Sequence, residues 1–506
     1  MDFIKILSAS QSKAWDKYTI DHTQIKSIDL MERAAQACAE WILIRHNAFA
    51  PPYHIICGTG NNGGDGLAIA RLLAEQNLEV LIYLAGNVAQ ASEEFLLNLD
   101  RIYAKNLPYT IVDENNVDAL SFKGTIVDAI LGSGINRPVQ GVLKQLINNM
   151  NESNSPIISI DIPSGLGTVI SAVPDTCVKA TCTLSMQTPK LPFFFKDYYI
   201  YTGRVEVLDI GLIEAYNLQC DSKYHYITHE KVKKILKKRH IFDHKGTYGH
   251  ALLIAGSYGK MGAAVLAAKS CIKSGAGLLT VACPKSGYEI LQTTVPEAMV
   301  YTIEEHEKYV SFFPKISLFK SMGIGPGLER RPVTRLMLRH LLLQDNLPKL
   351  VLDADAINML GEIFQESPDF KIPTDTILTP HPKEFDRIAG VSNSAVERHH
   401  RQIDFAMKHH VYVVLKGAYT CIACPDGTVY FNSTGNPGMA TGGSGDVLTG
   451  MITALLAQSY EPKAASILAV YVHGLAGDMA TAEVGMISAT ATDIVQHLSK
   501  SFVSLE

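Results

Sequence analysis

Gly435-Asn-Pro-Gly-Met-Ala-Thr-Gly-Gly-Ser-Gly-Asp446 holds six Gly or Ala residues among its twelve, ends in a carboxylate and runs into an apolar segment of helical length, Val447 to Gln458. Successive glycines let backbone N–H groups turn toward one point at a helix N-terminus, which makes a cradle for an anion. A carboxylate in such a cradle repels a phosphate, so Asp446 needs a reason to be there. One reason is general-base chemistry on a hydroxyl beside the phosphate being transferred. The other is capping of the helix, for which Asp is a favoured residue.

Segments upstream extend the first reading. Val411-Tyr-Val-Val-Leu-Lys-Gly-Ala418 reads as a buried strand ending in Lys416-Gly417. Leu350-Val-Leu-Asp-Ala-Asp-Ala356 is an apolar strand ending in carboxylates, and Ile377-Leu-Thr-Pro-His-Pro-Lys-Glu384 is another, with His381 and Glu384 opening a helix. Gly323-Ile-Gly-Pro-Gly327 ends a fourth. Ligands of open α/β sheets bind at the carboxyl ends of the strands. The strand ends therefore predict one shared cleft in a mostly parallel α/β/α domain.

The first half carries a separate signal. His54-Ile-Ile-Cys-Gly-Thr-Gly-Asn-Asn-Gly-Gly-Asp-Gly66 reads as a short strand and a glycine-rich turn, followed by an amphipathic helix from Leu67 to Gln76. It is neither Gly-x-Gly-x-x-Gly nor a P-loop, which would need a Lys. Strands also end at Thr125-Ile-Val-Asp-Ala-Ile-Leu-Gly-Ser-Gly134 and at Pro156-Ile-Ile-Ser-Ile-Asp-Ile-Pro-Ser-Gly165. Asn62, Asp128 and Ser164 then fall on neighbouring loops and offer oxygens to a hard cation. Asp161, at a strand end, reads either as a proton shuttle or as a cap on the turn into Pro163-Ser164.

These segments carry a resemblance. Lys245-Gly-Thr-Tyr-Gly-His250, Gly323 to Gly327, Leu352-Asp-Ala-Asp-Ala-Ile-Asn358, Thr379-Pro-His-Pro-Lys-Glu384, Lys416-Gly-Ala418 and the Gly435–Asp446 run occur in order. Together they resemble the NAD(P)H-hydrate dehydratase domain of the ribokinase-like superfamily. The first 210 or so residues, including Gly203-Arg-Val-Glu-Val-Leu-Asp-Ile-Gly211, resemble the NAD(P)H-hydrate epimerase domain. The pair in this order is the arrangement of bifunctional NAD(P)H-hydrate repair enzymes. It implies a Rossmann-like α/β/α domain over 1–219 and a ribokinase-like one over 220–506. Two positions depart from the family pattern. Gly167-Thr-Val-Ile-Ser-Ala-Val-Pro-Asp175 stands where Ala-Asp-Thr-Gly is usual, and Leu191-Pro192 rather than Pro-Gly follows Lys190, so Lys190 receives no role.

In the first half the resemblance implies K⁺ at Asn62, Asp128 and Ser164. It implies hydrate contacts at Asn61, Asn62, Gly63, Gly64 and Asp65, at Gly132, Ser133, Gly134, Ile135, Asn136, Arg137 and Pro138, and at Asp161, the catalytic residue. In the second half, Lys416, Gly417, Ala418, Tyr419 and Thr420 would contact a nucleotide. So would Asn436, Pro437, Gly438, Met439, Ala440, Thr441, Gly442, Gly443, Ser444 and Gly445. Gly327, His381, Pro382, Lys383, Glu384, Phe385, Asp386, Arg387 and the catalytic Asp446 would contact the hydrate. His381 also reads as a helix-start residue bonded to backbone. ADP or ATP, with Mg²⁺, is the implied co-substrate.

A small-molecule kinase of the hydroxymethylpyrimidine or thiazole type shares the glycine nest, but the Thr379–Glu384 element and the fused first half argue against it. Domains like the first half also occur in RNA-decapping scaffolds. A scaffold has no need of Asn62, Asp128, Asp161 and Ser164 together.

The 506 residues exceed one core and fit two domains. A net charge of −5 gives nucleic acid no general footing. The basic run Lys231–His240 has Val232, Ile235 and Leu236 at helical spacing and predicts a solvated helix face. No apolar run reaches the roughly 20 residues of a membrane span, and the N-terminus lacks a signal-peptide core. Nine cysteines without regular spacing suit a reducing compartment. Cys421 and Cys424 lie on a strand pattern that points them to opposite faces. The expected partners are NADHX, NADPHX, ADP or ATP and further copies of the chain, with neither nucleic acid nor membrane, in the cytoplasm.

Overall fold

Tyr53–Cys57 (β1) and Thr125–Ala129 (β4) are buried along their whole length, as strands covered on both faces must be. They pair in parallel at the centre of a seven-stranded sheet. Its other strands are Val80–Ala85 (β2), Tyr109–Val112 (β3), Ile157–Ile160 (β5), Cys182–Met186 (β6) and Arg204–Leu208 (β7). The order is β3-β2-β1-β4-β5-β6-β7 and every pairing is parallel. Strand order reverses between β1 and β4, so the loops after these strands open a crevice at a topological switch point. Alternate residues of β1 serve opposite faces: Ile55 packs in one apolar cluster and Ile56 in the other.

This computed structural model describes residues 3–135, 138–170, 173–303 and 316–506. Asn136 and Arg137, two of the expected hydrate contacts, lie outside the described residues. The described chain divides into two compact units, Ile4–Ser222 and Lys223–Glu506 with Phe3. The polar stretch near Asn217 belongs to the first unit. Asn217 Oδ1 accepts from Lys5 N at 2.7 Å, and Gln11 Nε2 donates to the Asp221 carbonyl at 2.7 Å.

In the second unit the strands are Tyr224–Tyr226 (β8), His250–Ile254 (β9), Leu278–Pro284 (β10), Met299–Ile303 (β11), Ser321–Ile324 (β12), Lys349–Leu352 (β13), Ile377–Leu378 (β14), Tyr412–Leu415 (β15), Cys421–Ala423 (β16) and Val429–Phe431 (β17). Their order is β8-β17-β16-β15-β14-β13-β12-β9-β10-β11. Only β15-β16 and β16-β17 are antiparallel. The core lies between this sheet and the apolar helices Ser444–Ala457 and Pro462–Val484. Among the described residues no helix is long and apolar enough to cross a membrane.

Two local expectations change. Lys231–His240 is not one helix. Helix stops at Lys233, and the chain beyond it is pinned by Lys237, whose N–H donates to the Tyr460 hydroxyl at 2.8 Å. Ile235 and Leu236 still pack on the core. The helix expected from Leu67 already starts at Asn61, so Asn61 to Gly66 form its first turns. All nine cysteines are free, and Cys421 and Cys424 are both buried.

Candidate active sites of the two halves

The first site forms where β1, β4 and β5 end. Asp128, the fourth residue of β4, has no exposed surface, and burial raises its pKa against the hydrogen bonds it accepts. Ser159 Oγ and Ser164 N donate to its Oδ2 at 2.7 and 2.9 Å, and Ser164 Oγ to its Oδ1 at 2.5 Å. Ser164 Oγ also accepts from Leu131 N at 2.8 Å, which ties the loop after β4 to the loop after β5. Gly58, directly after β1, runs against the Ile130 carbonyl, where a Cβ would stand 1.9 Å from the oxygen. Only glycine lets these loops meet.

Asn62 is 8 % exposed and packs against Gly132, and its Nδ2 has no hydrogen-bond partner. An amide nitrogen donates and cannot bind a cation, so only the Asn62 Oδ1 is a possible cation ligand. With one carboxylate, an amide and a hydroxyl, the Asn62, Asp128 and Ser164 set fits a hard monovalent cation better than a divalent one. Among the described residues no cluster of three His, Cys, Asp or Glu is arranged for a metal ion.

Asp161 follows β5 in a left-handed backbone, φ +64°. Its Oδ1 meets Lys190 Nζ at 2.6 Å and accepts from Met186 N at 3.4 Å. Lys190 is itself 3 % exposed and donates to Ser185 Oγ and the Thr188 carbonyl, each at 3.2 Å. Asp161 is thus tied across to β6 rather than capping the turn into Pro163-Ser164. Lys190, passed over in the sequence because its flanking residues are atypical, is its partner. Nearby carboxyls respond to Asp161. Burial, then the Asp161 charge, raises Asp16 to about 6, and the same two causes lead in pushing Asp65 well up. Asp16, on helix Ala9–Thr23, had no signal in the sequence.

The second site gathers the residues that directly follow four adjacent strands. These are Gly325 after β12, Asp353 after β13, Thr379 after β14 and Lys416 after β15. Asp353 is 1 % exposed and sits at the hub. Its Oδ1 takes Lys416 Nζ at 2.7 Å and Thr379 Oγ1 at 2.8 Å, and its Oδ2 takes Thr449 Oγ1 at 2.8 Å. Thr449 lies on the helix that the glycine run opens, so this hub fastens that helix to the sheet. A side chain on Gly445 would begin 3.0 Å from Lys416 Nζ, which places the ammonium at the first turn of the helix.

The glycine run caps that helix with Gly443 at φ +94°, and no side chain caps it. Asp446 sits in the first turn rather than at the cap. Burial, then the Asp353 charge, raises its pKa from 3.8 to about 7, with Asp355 and Glu384 adding and Lys416 opposing. Lys416 is held above its ordinary value, because Asp353, Glu384 and Asp446 outweigh the effect of its burial. Ser444 Oγ faces His473 Nε2 at 3.3 Å, and burial drops His473 to about 4.

The other expected contacts are placed less uniformly. Gly327 lies after β12, and its carbonyl accepts from Ser257 Oγ at 2.8 Å. Asn436 is tied to Asp478 and Thr481 at 2.7 and 2.9 Å. His381 is the N-cap of helix Pro382–Ala389. Its Nδ1 accepts from Lys383 N and Glu384 N, and its own N–H donates to Glu384. That is the backbone-bonded reading of His381. Phe385 is fully buried against Phe405, Asp386 binds Arg398 through both oxygens, and Arg387 donates to Asn358.

Residues 251–500 match the family model described as NAD(P)H-hydrate dehydratase, and residues 27–191 match that of the YjeF-related protein N-terminus. The bifunctional NAD(P)H-hydrate repair enzyme Nnr of Moorella thermoacetica is 33 % identical over 522 residues, covering 99 % of this chain and 97 % of that one. Its counterpart from Coxiella burnetii is 36 % identical over 477 residues, 94 % of each chain. A solved ribokinase-like superfamily protein of Enterococcus faecalis is 27 % identical and superposes with a TM-score of 0.51, covering 56 % of this chain and 98 % of its own. The chain belongs to the bifunctional NAD(P)H-hydrate repair enzymes, with an epimerase half joined to a dehydratase half.

Proposed function

We propose that the two halves divide the repair of hydrated NADH and NADPH between them. The hydrate carries a hydroxyl on C6, next to the ring nitrogen, and is a carbinolamine. In the first half Asp161 exchanges a proton with that hydroxyl. The C6–O bond breaks, the nitrogen lone pair stabilises the planar cation, and water returns to either face. R and S hydrates interconvert without any other reactant. The Lys190 ion pair occupies Asp161 Oδ1 and leaves Oδ2 for the proton. K⁺ held by Asn62, Asp128 and Ser164 would supply positive charge beside the start of helix Asn61–Glu75.

In the second half ADP or ATP, with Mg²⁺, donates its terminal phosphoryl group. Asp446 takes the proton of the C6 hydroxyl as that oxygen attacks phosphorus, and the shortened nucleotide leaves. The nitrogen lone pair then expels phosphate from C6, and loss of a proton from C5 restores the dihydronicotinamide. Phosphoryl transfer depends chiefly on positioning and charge. Here those are supplied by the glycine run and by Lys416. The cluster at Asp353 carries this reading, because it brings Lys416, the helix start and a carboxylate poised near neutrality to one point.

The test is to incubate the protein with hydrated NADPH, with and without ADP or ATP, and follow dihydronicotinamide absorbance. Full recovery from mixed R and S hydrates only with nucleotide is expected. Recovery of only one epimer would remove the first half's role. A stable phosphorylated product would turn the second half into an ordinary kinase. Assembly of several copies is proposed on the family likeness alone.

A further inference from the structure

We propose that Asp353 is a positioning residue of the dehydration half, holding Lys416 at the first turn of the glycine-run helix so that Lys416 meets the nucleotide phosphates rather than pairing with the base. The inference rests on the reading of Lys416 and Asp446 given above and adds a residue that touches neither nucleotide nor hydrate. Both Asp353 oxygens accept hydrogen bonds, Oδ1 two and Oδ2 one, and only 1 % of the residue is exposed. Three donors reach it from β14, β15 and the glycine-run helix, so it fixes three elements at once. Lys416 Nζ is thereby anchored to Asp353, with its side chain still 21 % exposed. Had Lys416 bonded Asp446 instead, base and phosphate-binding cation would neutralise each other.

Asp446 is faced by Asp353 and Lys416 from the strand ends, by Asp355 from helix Asp355–Glu366 and by Glu384 from helix Pro382–Ala389. The Asp353 and Lys416 charges act on it in opposite directions. Removing the charge of Asp353 takes away a repulsion and releases Lys416 toward Asp446, and both changes favour its ionised form. The acid limb of the dehydration rate should then move to lower pH.

The test uses the full chain carrying Asp353→Asn, which keeps the shape but removes the charge and replaces one acceptor oxygen with a donor. Dehydration of S hydrate is measured from pH 5 to 9 with ADP and with ATP, and epimerisation on the same preparation reports the fold. The acid limb should move down by about one pH unit, and the nucleotide KM should rise several-fold with epimerisation unchanged. A lower kcat with neither limb nor KM moved is what a purely structural role gives, and it overturns the proposal. So does wild-type behaviour. If Asp353→Asn does not accumulate as folded chain, Thr449→Val decides, since it removes one donor and keeps the charge. A raised nucleotide KM supports the proposal and an unchanged one overturns it. Asp446→Asn run in parallel separates the two levels: if it dehydrates normally, the reading of the site has failed rather than the role of Asp353.

Discussion

Asp446→Asn should nearly abolish dehydration and at the same time make the second unit more stable. The wild-type carboxyl is raised from 3.8 to about 7, mostly by burial. A folded-state pKa above the unfolded value means that the folded chain retains a proton the unfolded chain has released. Stability therefore falls as pH rises from about 4 to about 7, and the full cost persists above that. About three pH units at roughly 1.4 kcal/mol each set a ceiling of about 4 kcal/mol. The carboxyl is only partly buried, and solvent screening reduces this to about 1–2 kcal/mol. For a unit of this size that is about 2–5 °C in melting temperature. Asn is isosteric and never pays this cost, so the variant should melt higher than wild type at pH 8 and equally at pH 4.

The kinetic half of the same experiment looks for a drop of about 10²–10⁴ in dehydration rate, with ADP affinity kept or tightened and epimerisation unchanged. Calorimetry without nucleotide, at pH 4, 6 and 8, reads the stability half. A helix-stabilising role for Asp446 predicts the reverse sign, since an acid in the first turn adds about 0.3–1 kcal/mol through the helix dipole. A variant melting at or below wild type at pH 8 refutes the burial argument. Near-wild-type dehydration refutes the base.

Asp128→Ala should slow epimerisation, abolish its dependence on K⁺ and leave dehydration of the S hydrate largely intact; equal loss of both activities would indicate a folding defect. The orphaned Ser159 and Ser164 donors should also destabilise the first unit by about 1–3 kcal/mol, read as a lower denaturant midpoint. Lys190→Met should lower the epimerisation rate with little change in dehydration, and wild-type epimerisation in that variant would leave the Asp161 ion pair without a catalytic part. A chain ending at Ser222 should fold and interconvert R and S hydrates without nucleotide, assayed by chromatography of the two epimers; failure to fold would show that the division at Ser222 is misplaced.

The parallel sheets and the gathering of strand-end residues in the second half were legible because buried parallel strands write themselves as apolar runs whose next residue is polar or glycine. Asp353, Thr379 and Lys416 all stand at that next position. What Asp353 does there was not legible. Its partners lie 26, 63 and 96 residues away, at separations no local pattern records. The helix start at Asn61 was hidden for a different reason. Asn and Gly are poor helix formers, and helix is imposed there by close packing: a Cβ on Gly63 would lie 1.7 Å from the Gly58 carbonyl. At His381 the i, i+3 relation to Glu384 is that of a capping box, but the pattern is ordinarily led by Ser or Thr, so the capping role of the imidazole was less legible than its polarity. The part of Lys190 was not legible because its burial to 3 % exposure, which requires an anion and several acceptors, is set by packing and not by its flanking residues.

In the proposed mechanism both candidate catalytic carboxylates act on the same C6 hydroxyl, yet their surroundings are opposite. Asp161 has its own cation, Lys190, at 2.6 Å. Among the described residues Asp446 forms no ion pair, although Lys416 is close enough to oppose the rise in its pKa. The difference follows from what each reaction asks of the charge. Epimerisation returns every proton it moves, so a carboxylate whose charge is balanced by a fixed neighbour can pass a proton out and back without reorganising the site. Dehydration through a phosphate ester consumes the base once per turnover, beside incoming phosphate anions. A cation bonded to Asp446 would lower its basicity and be unavailable to the phosphates. Committing Lys416 to Asp353 instead would give the phosphates their cation, and Asp446 is left with a pKa of about 7. The energetic cost is the destabilisation that Asp446→Asn should relieve.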